Sequence, residues 1–362
     1  MKILLIDNRS KNVLNFRITI IEYLISLGHE VKIICGDDKE KVKLNSYGFD
    51  IEVIKFSNRS ISPFKMISLH RRFKKAIKTF EPNIVLTFQA KPNIVGAKAA
   101  KKAKVPKVYS FITGLGEPFQ PKNFIGRIFK RIYISMYKNS LKNVDGVCFH
   151  NSHDRKIFIE SKICSEDNAY VVHGNGINTD YFAQSPLPKK DNVLLVTRLV
   201  KNKGVYEYID IARRVKQTHP EISFSLLGPE DEIVLDDIQY AIDEEIINYL
   251  GAVDDVRPII DQHKLCVLTS FREGFPRGLL EPMSMGRPVI GYNTVGVNEL
   301  VEHGHNGYLV KLHDIDGFAE AIINLLSDPT LVETFANNAR IDAVSKYSNK
   351  VINEKISNII FS

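Results

Sequence analysis

Long hydrophobic runs are missing from this sequence. No stretch approaches the roughly 20 consecutive apolar residues that span a bilayer, so no membrane-crossing helix is expected. Cysteine is scarce as well. Cys35, Cys148, Cys164 and Cys266 are scattered without Cys-x-x-Cys spacing, which argues against a disulfide framework or a cysteine zinc site and for a cytoplasmic setting. Cys35, Cys148 and Cys266 lie in apolar strand-like runs and are expected as buried thiols. Internal repeats and low-complexity tracts are absent too. The opening MKILLIDNRS has an apolar run of only four residues before Asp7, which reads as a first strand rather than a secretory signal.

What is present fits a globular α/β protein of two domains. The chain has 362 residues, 44% of them apolar and 25% charged, more than one typical core requires. Charge divides unevenly: residues 1–183 hold 31 Lys and Arg against 16 Asp and Glu, and the remainder holds 18 against 26. A basic front half and an acidic back half suggest two bodies with different partners.

Apolar runs short enough for buried strands alternate with helical patterns throughout, which predicts a doubly wound, mostly parallel sheet in each half. The first half offers KILLID (2–7), HEVKIIC (29–35), FDIEVIKF (49–56), NIVLTF (83–88), KVYSFI (107–112), GVCFH (146–150) and YVVHG (170–174). Helices are expected near Phe16–Leu27, Pro63–Phe80 and Val95–Lys104. GNGINTDYF (174–182), rich in turn formers, reads as a linker. NVLLVT (192–197), ISFSLLG (222–228), INYLGAV (247–253), LCVLTS (265–270), PVIGYN (288–293) and GYLV (307–310) then build the second half. DIDGFAEAIINLLSD (314–328) is a helix with Ala319, Ile322, Ile323, Leu325 and Leu326 along one side, and 349–360 is a last one.

The chemistry concentrates in EGFPRGLLE, residues 273–281, between LCVLTS and PVIGYN. Two parallel strands need a crossover, so a helix should begin near Pro276 or Arg277. Glu273 would then sit on the loop at a strand's carboxyl end, where open α/β sheets bind ligands. Glu281 would lie about a turn into the helix, and the helix N-terminus is a seat for phosphate. A plain strand–loop–helix unit with two solvated glutamates fits the spacing equally well. Arg198 and Lys203 in VTRLVKNKG follow another strand and offer fixed cations for a diphosphate; taken alone, they read rather as a solvated basic loop. The Asp-x-Asp pair Asp314 and Asp316 directly precedes a helix and reads as capping rather than as metal ligands.

Glu273 and Glu281 stand in a Glu-x7-Glu arrangement, and EGFPRGLLEPMSMGRPVI, with VTRLVKNKG, LLG, GAVDDV and GVNELVEHGHNGYLV, resembles glycosyltransferase family 4 over most of residues 170–330. That resemblance implies a GT-B fold, two Rossmann-like domains facing across a cleft, and retention of anomeric configuration. It implies an acceptor-binding domain over 1–175, a donor-binding domain over 176–348, and a C-terminal helix within 349–362 that packs back on the first. By the same resemblance Arg198 and Lys203 bind the donor diphosphate and Glu281 the ribose. Glu273, the candidate catalytic residue, lies near the transferred sugar, with Gly274, Phe275 and Pro276 close to sugar and phosphates. Val253 borders the base, and Glu299 matches a recurrent glutamate whose role stays open. FITGLGEPF (111–119) resembles the acceptor-side loop of members that build bacterial surface polysaccharides, through Thr113, Gly114 and Gly116. The chain departs from that pattern at Thr113, where histidine is usual, at NRSKN (8–12), where a glycine pair is usual, and at Pro282, where alanine is commoner and proline should kink the helix.

PKNFIGRIFKRIYISMYKNSLKN (121–143) interleaves Lys122, Arg127, Lys130, Arg131, Lys138 and Lys142 with Phe124, Phe129, Ile132, Tyr133 and Met136. With the basic helix before it, this segment suits an anionic lipid surface, or is an amphipathic helix with a solvated basic face. No nucleic-acid motif accompanies the charge. The expectation is a metal-independent transferase without a cofactor. It moves a hexose or N-acetylhexosamine from a nucleotide-sugar, UDP-linked, to a lipid-linked glycan acceptor in O-antigen or capsule assembly, at the inner face of the cytoplasmic membrane. A GT-B epimerase or hydrolase, or a non-catalytic nucleotide-sugar or membrane-binding module, is the alternative.

Overall fold

A computed structural model describes residues 1–57, 62–116, 119 and 123–362. Lys122 of the basic segment and Glu117 and Pro118 of the FITGLGEPF loop lie outside the described residues. The chain forms two compact units, residues 1–175 with 352–362, and residues 176–351.

In the first unit, β1 (Lys2–Asp7), β2 (Glu30–Cys35), β3 (Asp50–Val53), β4 (Ile84–Phe88), β5 (Lys107–Ile112), β6 (Gly146–Phe149) and β7 (Ala169–Val171) pair in the order β3-β2-β1-β4-β5-β6-β7. Every pairing is parallel. The helices are α1 (Ser10–Phe16), α2 (Ile18–Ser26), α3 (Lys41–Asn45), α4 (Pro63–Phe80), α5 (Ala97–Lys102), α6 (Phe124–Leu141) and α7 (Ser152–Glu160), with a π-turn at Pro92–Gly96 leading into α5. The period-2 alternation of a strand divides β1 between two cores. Leu4 and Ile6 join Phe73, Ile77, Val85 and Phe149 on one face. Ile3 and Leu5 join Ile20, Leu24, Ile84, Ile352 and Ile356 on the other.

The second unit pairs β8 (Asn192–Val196), β9 (Ser223–Leu227), β10 (Asn248–Tyr249), β11 (Leu265–Leu268), β12 (Val289–Tyr292) and β13 (Gly307–Val310) in the order β10-β9-β8-β11-β12-β13. It is parallel throughout. Around it lie α8 (Val205–Lys216), α9 (Leu235–Asp243), α10 (Arg257–Asp261), α11 (Arg277–Ser284), α12 (Ile315–Leu326) and α13 (Pro329–Tyr347). The last helix, α14 (Asn349–Phe361), starts in this unit, and from Ile352 onward it belongs to the first. Arg287, fully buried, donates to the carbonyls of Ser185, Pro186, Met285 and Ile260, and so ties the end of α11 to the segment before β8.

The elements depart from the sequence pattern at identifiable places. The helix expected near 16–27 is α2, and a further helix, α1, precedes it, the two being separated at Arg17, whose side chain is drawn into the core; the NRSKN segment enters α1 at Ser10. The helix expected from Val95 begins as the π-turn. INYLGAV supplies a two-residue strand, because Gly251 takes φ +68 and ends the extended run.

Candidate active site

In the second sheet the strand order reverses between β8 and β11, and a ligand crevice opens at the carboxyl ends of strands beside such a switch point. The chain leaves β8 through Thr197 and Arg198 into a 3₁₀ turn, Lys201–Lys203, that ends at Gly204. Gly204 has φ +66, and a Cβ there would stand 2.2 Å from the Thr269 carbonyl oxygen. Only glycine lets the turn lie against the end of β11. Thr269 Oγ1 donates to the Lys203 and Gly204 carbonyls at 3.0 and 2.8 Å, and the Phe271 N–H donates to Asn202 at 3.1 Å. The two strand ends are thus stitched together.

That stitching brings Lys203 to Glu273. Lys203 Nζ lies 2.5 Å from Glu273 Oε1, and both side chains are largely buried. The Glu273 N–H donates to Val295 at 2.9 Å, which holds its loop against the segment after β12. Past Gly274 and Phe275, Pro276 is the N-cap of α11 and offers no side-chain hydrogen bond to the helix. Gly278 admits the helix close to β8, since a Cβ there would meet the Val196 carbonyl oxygen at 2.6 Å. One turn in, Glu281 is largely buried and accepts a 2.7 Å contact from Arg277 Nη2. Burial pushes its carboxyl up, opposed by the Arg277 charge and hydrogen bond. α11 stops after Ser284, two residues past Pro282.

The remaining sequence-predicted residues are more dispersed. Arg198 pairs with Asp231 at 2.8 Å and is mostly exposed, a contact easily exchanged for an anion. Val253 is exposed on the loop after β10, and the Tyr249 hydroxyl donates to the Gly228 carbonyl at 2.8 Å beside it. The Phe275 ring packs 5.2 Å from that of Tyr347, whose hydroxyl donates to the Glu299 carbonyl. Asp314 caps α12 by accepting from the Gly317 N–H at 2.9 Å, and Asp316 pairs with Arg214 at 2.8 Å. In the first unit, Thr113, Gly114 and Gly116 lie on the loop after β5, and the glycines take φ +146 and +66.

Three features escaped the sequence reading. The Ser270 hydroxyl, at the end of β11, is buried without a hydrogen-bond partner. Glu302, His305 and Asp342 converge with ligand atoms within 4.8 Å of one another. A protein cation already serves that cluster: Lys346 Nζ sits 2.7 Å from Asp342 and 3.9 Å from Glu302. In the first unit, at its own switch point, buried Arg17 pairs with Asp7 at 3.2 Å, donates to Asn175 and covers the Phe88 ring at 4.0 Å. Asn8 and Asn12 also donate to the Asp7 carboxylate; burial pushes the acid up and the base down, and the Asp7–Arg17 attraction opposes both shifts. His150, at the end of β6, is held down to about 3 by burial, Arg17 and His173. Such contacts join residues far apart in the chain, so no spacing announces them.

Two parallel Rossmann-like domains, with paired charges at the switch point of the second sheet, define a glycosyltransferase of GT-B fold. A family model described as "Glycosyl transferase 4-like" matches residues 2–151, and one described as "Glycosyl transferases group 1" matches residues 190–328; the chain belongs to this family. It is 26% identical to the N,N'-diacetylbacillosaminyl-diphospho-undecaprenol alpha-1,3-N-acetylgalactosaminyltransferase of Campylobacter jejuni, over 98% of this chain and 97% of that one. It is 27% identical to the UDP-Gal:alpha-D-GlcNAc-diphosphoundecaprenol alpha-1,3-galactosyltransferase of Escherichia coli, over 82% and 77%. The structure superposes on Anabaena Alr3699/HepE in complex with UDP with a TM-score of 0.82 at 21% identity, over 99% of each chain.

Proposed function

We propose that the protein transfers a hexose or N-acetylhexosamine from a UDP-sugar to a lipid-linked glycan acceptor during surface polysaccharide assembly, with retention and without a metal. The observation that carries this reading is the buried Lys203–Glu273 pair at the β8/β11 switch point. A diphosphate leaving group gains charge as the glycosidic bond breaks, and fixed cations meet that charge without reorganising. Lys203, Arg198 and the uncapped N-terminus of α11 supply such a field. On this reading Glu273 opposes positive charge at the anomeric carbon, and Glu281 accepts from the ribose hydroxyls. The second unit then binds the donor, with Val253 near the base, and the first binds the acceptor through the Thr113–Gly116 loop. UDP in the Anabaena neighbour and undecaprenyl diphosphates in the names of two relatives support the substrate classes. No helix among the described residues is long and apolar enough to cross a membrane, and the basic faces of α4 and α6 suit peripheral attachment at the cytoplasmic leaflet.

The test is a panel of nucleotide-sugars with detection of released nucleotide, run with and without a polyprenyl-diphosphate glycan and repeated in EDTA. Acceptor-dependent release that persists in EDTA is expected. Release to water alone, or activity lost to EDTA and restored by Mn²⁺, overturns the reading.

A further inference from the structure

α4 and α6 flank the π-turn, and between them lies a groove of about 320 Å³, within the size range of small-molecule sites. Its walls include Ile67, Val95 and Met136, with His70, Lys98, Asn139 and Ser140 as polar members. The His70 Nε2 atom is buried without a hydrogen-bond partner. Ile125, Phe129, Ile132 and Met136 follow each other at spacings of three and four on α6, and so form one stripe. The first three are 62%, 43% and 41% exposed, and the stripe enters the groove at Met136. On α4, Phe64 is 85% and Ile67 52% exposed, so the groove opens into an apolar surface of the kind that marks a binding face. The surrounding charge has one sign. α4, the π-turn, α5 and α6 contain no acidic residue, whereas Lys65, Lys74, Lys98, Arg127, Lys130 and Arg131 are among their cations.

We infer that this groove holds the first isoprene units of a polyprenyl phosphate chain, with Lys98 and its neighbours facing the phosphate. The inference rests on the lipid-linked acceptor proposed above and names the part of it that α4 and α6 receive. An acid-free rim selects an anionic amphiphile over an ordinary protein partner, and a walled groove selects one chain over a flat bilayer. Met66 and Met136 are unbranched and adaptable, suited to packing around methyl branches.

The chain contains no tryptophan, so Ile132→Trp gives a single reporter at the groove mouth. The full-length variant is titrated with geranylgeranyl phosphate below its micellar concentration. A saturable blue shift is expected, with affinity lowered about tenfold or more when Ile67→Asp places a charge in the apolar wall. Lys98→Glu should lower it too, in a salt-dependent manner, and inorganic phosphate should cause no shift. Absence of a saturable shift, an unchanged affinity in Ile67→Asp, or equal affinity for straight-chain hexadecyl phosphate overturns the assignment. Sugar transfer is assayed in parallel. Probe binding without any transfer sinks the proposed function and leaves the groove, whereas transfer with an unchanged polyprenyl-acceptor KM in Ile67→Asp does the reverse.

Discussion

Arg277 Nη2 and Glu281 Oε1 lie 2.7 Å apart, at adjacent turns on one face of α11. The arginine's charge and hydrogen bond offset part of the burial that raises the Glu281 carboxyl. Arg277→Leu should raise that carboxyl further and weaken UDP binding by about tenfold, the equivalent of one charge-assisted contact. The loss should deepen as pH falls, because protonation removes the acceptor. Stability should move in the opposite sense. A carboxyl whose folded pKa is raised adds stability below its ordinary value of 4.5 and forfeits it as pH rises through the folded pKa, so the variant should melt lower at pH 8 than at pH 5.5. Calorimetric UDP titrations and thermal melts across that range check both.

Glu273 and Glu281 should separate kinetically. A contact made equally in ground and transition states alters KM and leaves kcat nearly unchanged, as Glu281→Gln should do for the donor. Glu273→Gln should lower kcat with less effect on UDP affinity, because its contact strengthens as charge develops. Donor titration of both variants decides; identical profiles would refute the division.

His150 carries a pH dependence unrelated to the donor. Its folded pKa, about 3, lies far below the ordinary 6.5, so its neutral form is the one the fold accepts. The associated stability is present above 6.5 and is lost as pH falls, with a slope approaching about 1.4 kcal/mol per pH unit. Urea unfolding at pH 7 and pH 5 should show that loss, and His150→Gln should flatten it.

The basic helix answers to salt. Reversing Lys130, Arg131, Lys138 and Lys142 to Glu should weaken binding to anionic liposomes while sparing UDP affinity, since each cation near such a surface contributes roughly 1 kcal/mol. Co-sedimentation at low salt tests it; unchanged binding would make this an ordinary solvated face.

The alternation of short apolar runs with helical patterns made both sheets legible, because a strand buried on both faces cannot disguise its composition. Glu273 and Lys203 were legible because they sit on loops that follow strand ends, and Glu281 because it lies in the crossover helix, places that local pattern predicts. Their partners were not equally so. That Lys203 meets Glu273 depends on β8 and β11 being neighbours, a matter of strand order rather than of local sequence. Arg17 fell at the start of an expected helix and was not singled out. Its burial against Asp7 and Asn175 follows from the ends of β1 and the β7 segment, which no window of residues contains. Asp342 and Lys346 reach Glu302 from α13 for the same reason.

Helix α14 gives the chain an unusual order of completion. Ile352, Ile356 and Ile360 pack with Ile3, Leu5 and Leu24, and the Asn353 side-chain amide donates to the Thr19 carbonyl at 3.1 Å. The whole of the second unit is therefore synthesised before the last piece of the first unit's core exists. During translation the first unit waits with one face of its sheet partly uncovered, a sticky intermediate of the kind chaperones shield. An isolated fragment 1–175 inherits the same exposed face. Fusing residues 352–362 to it through a short linker is the way to obtain that unit alone in soluble form.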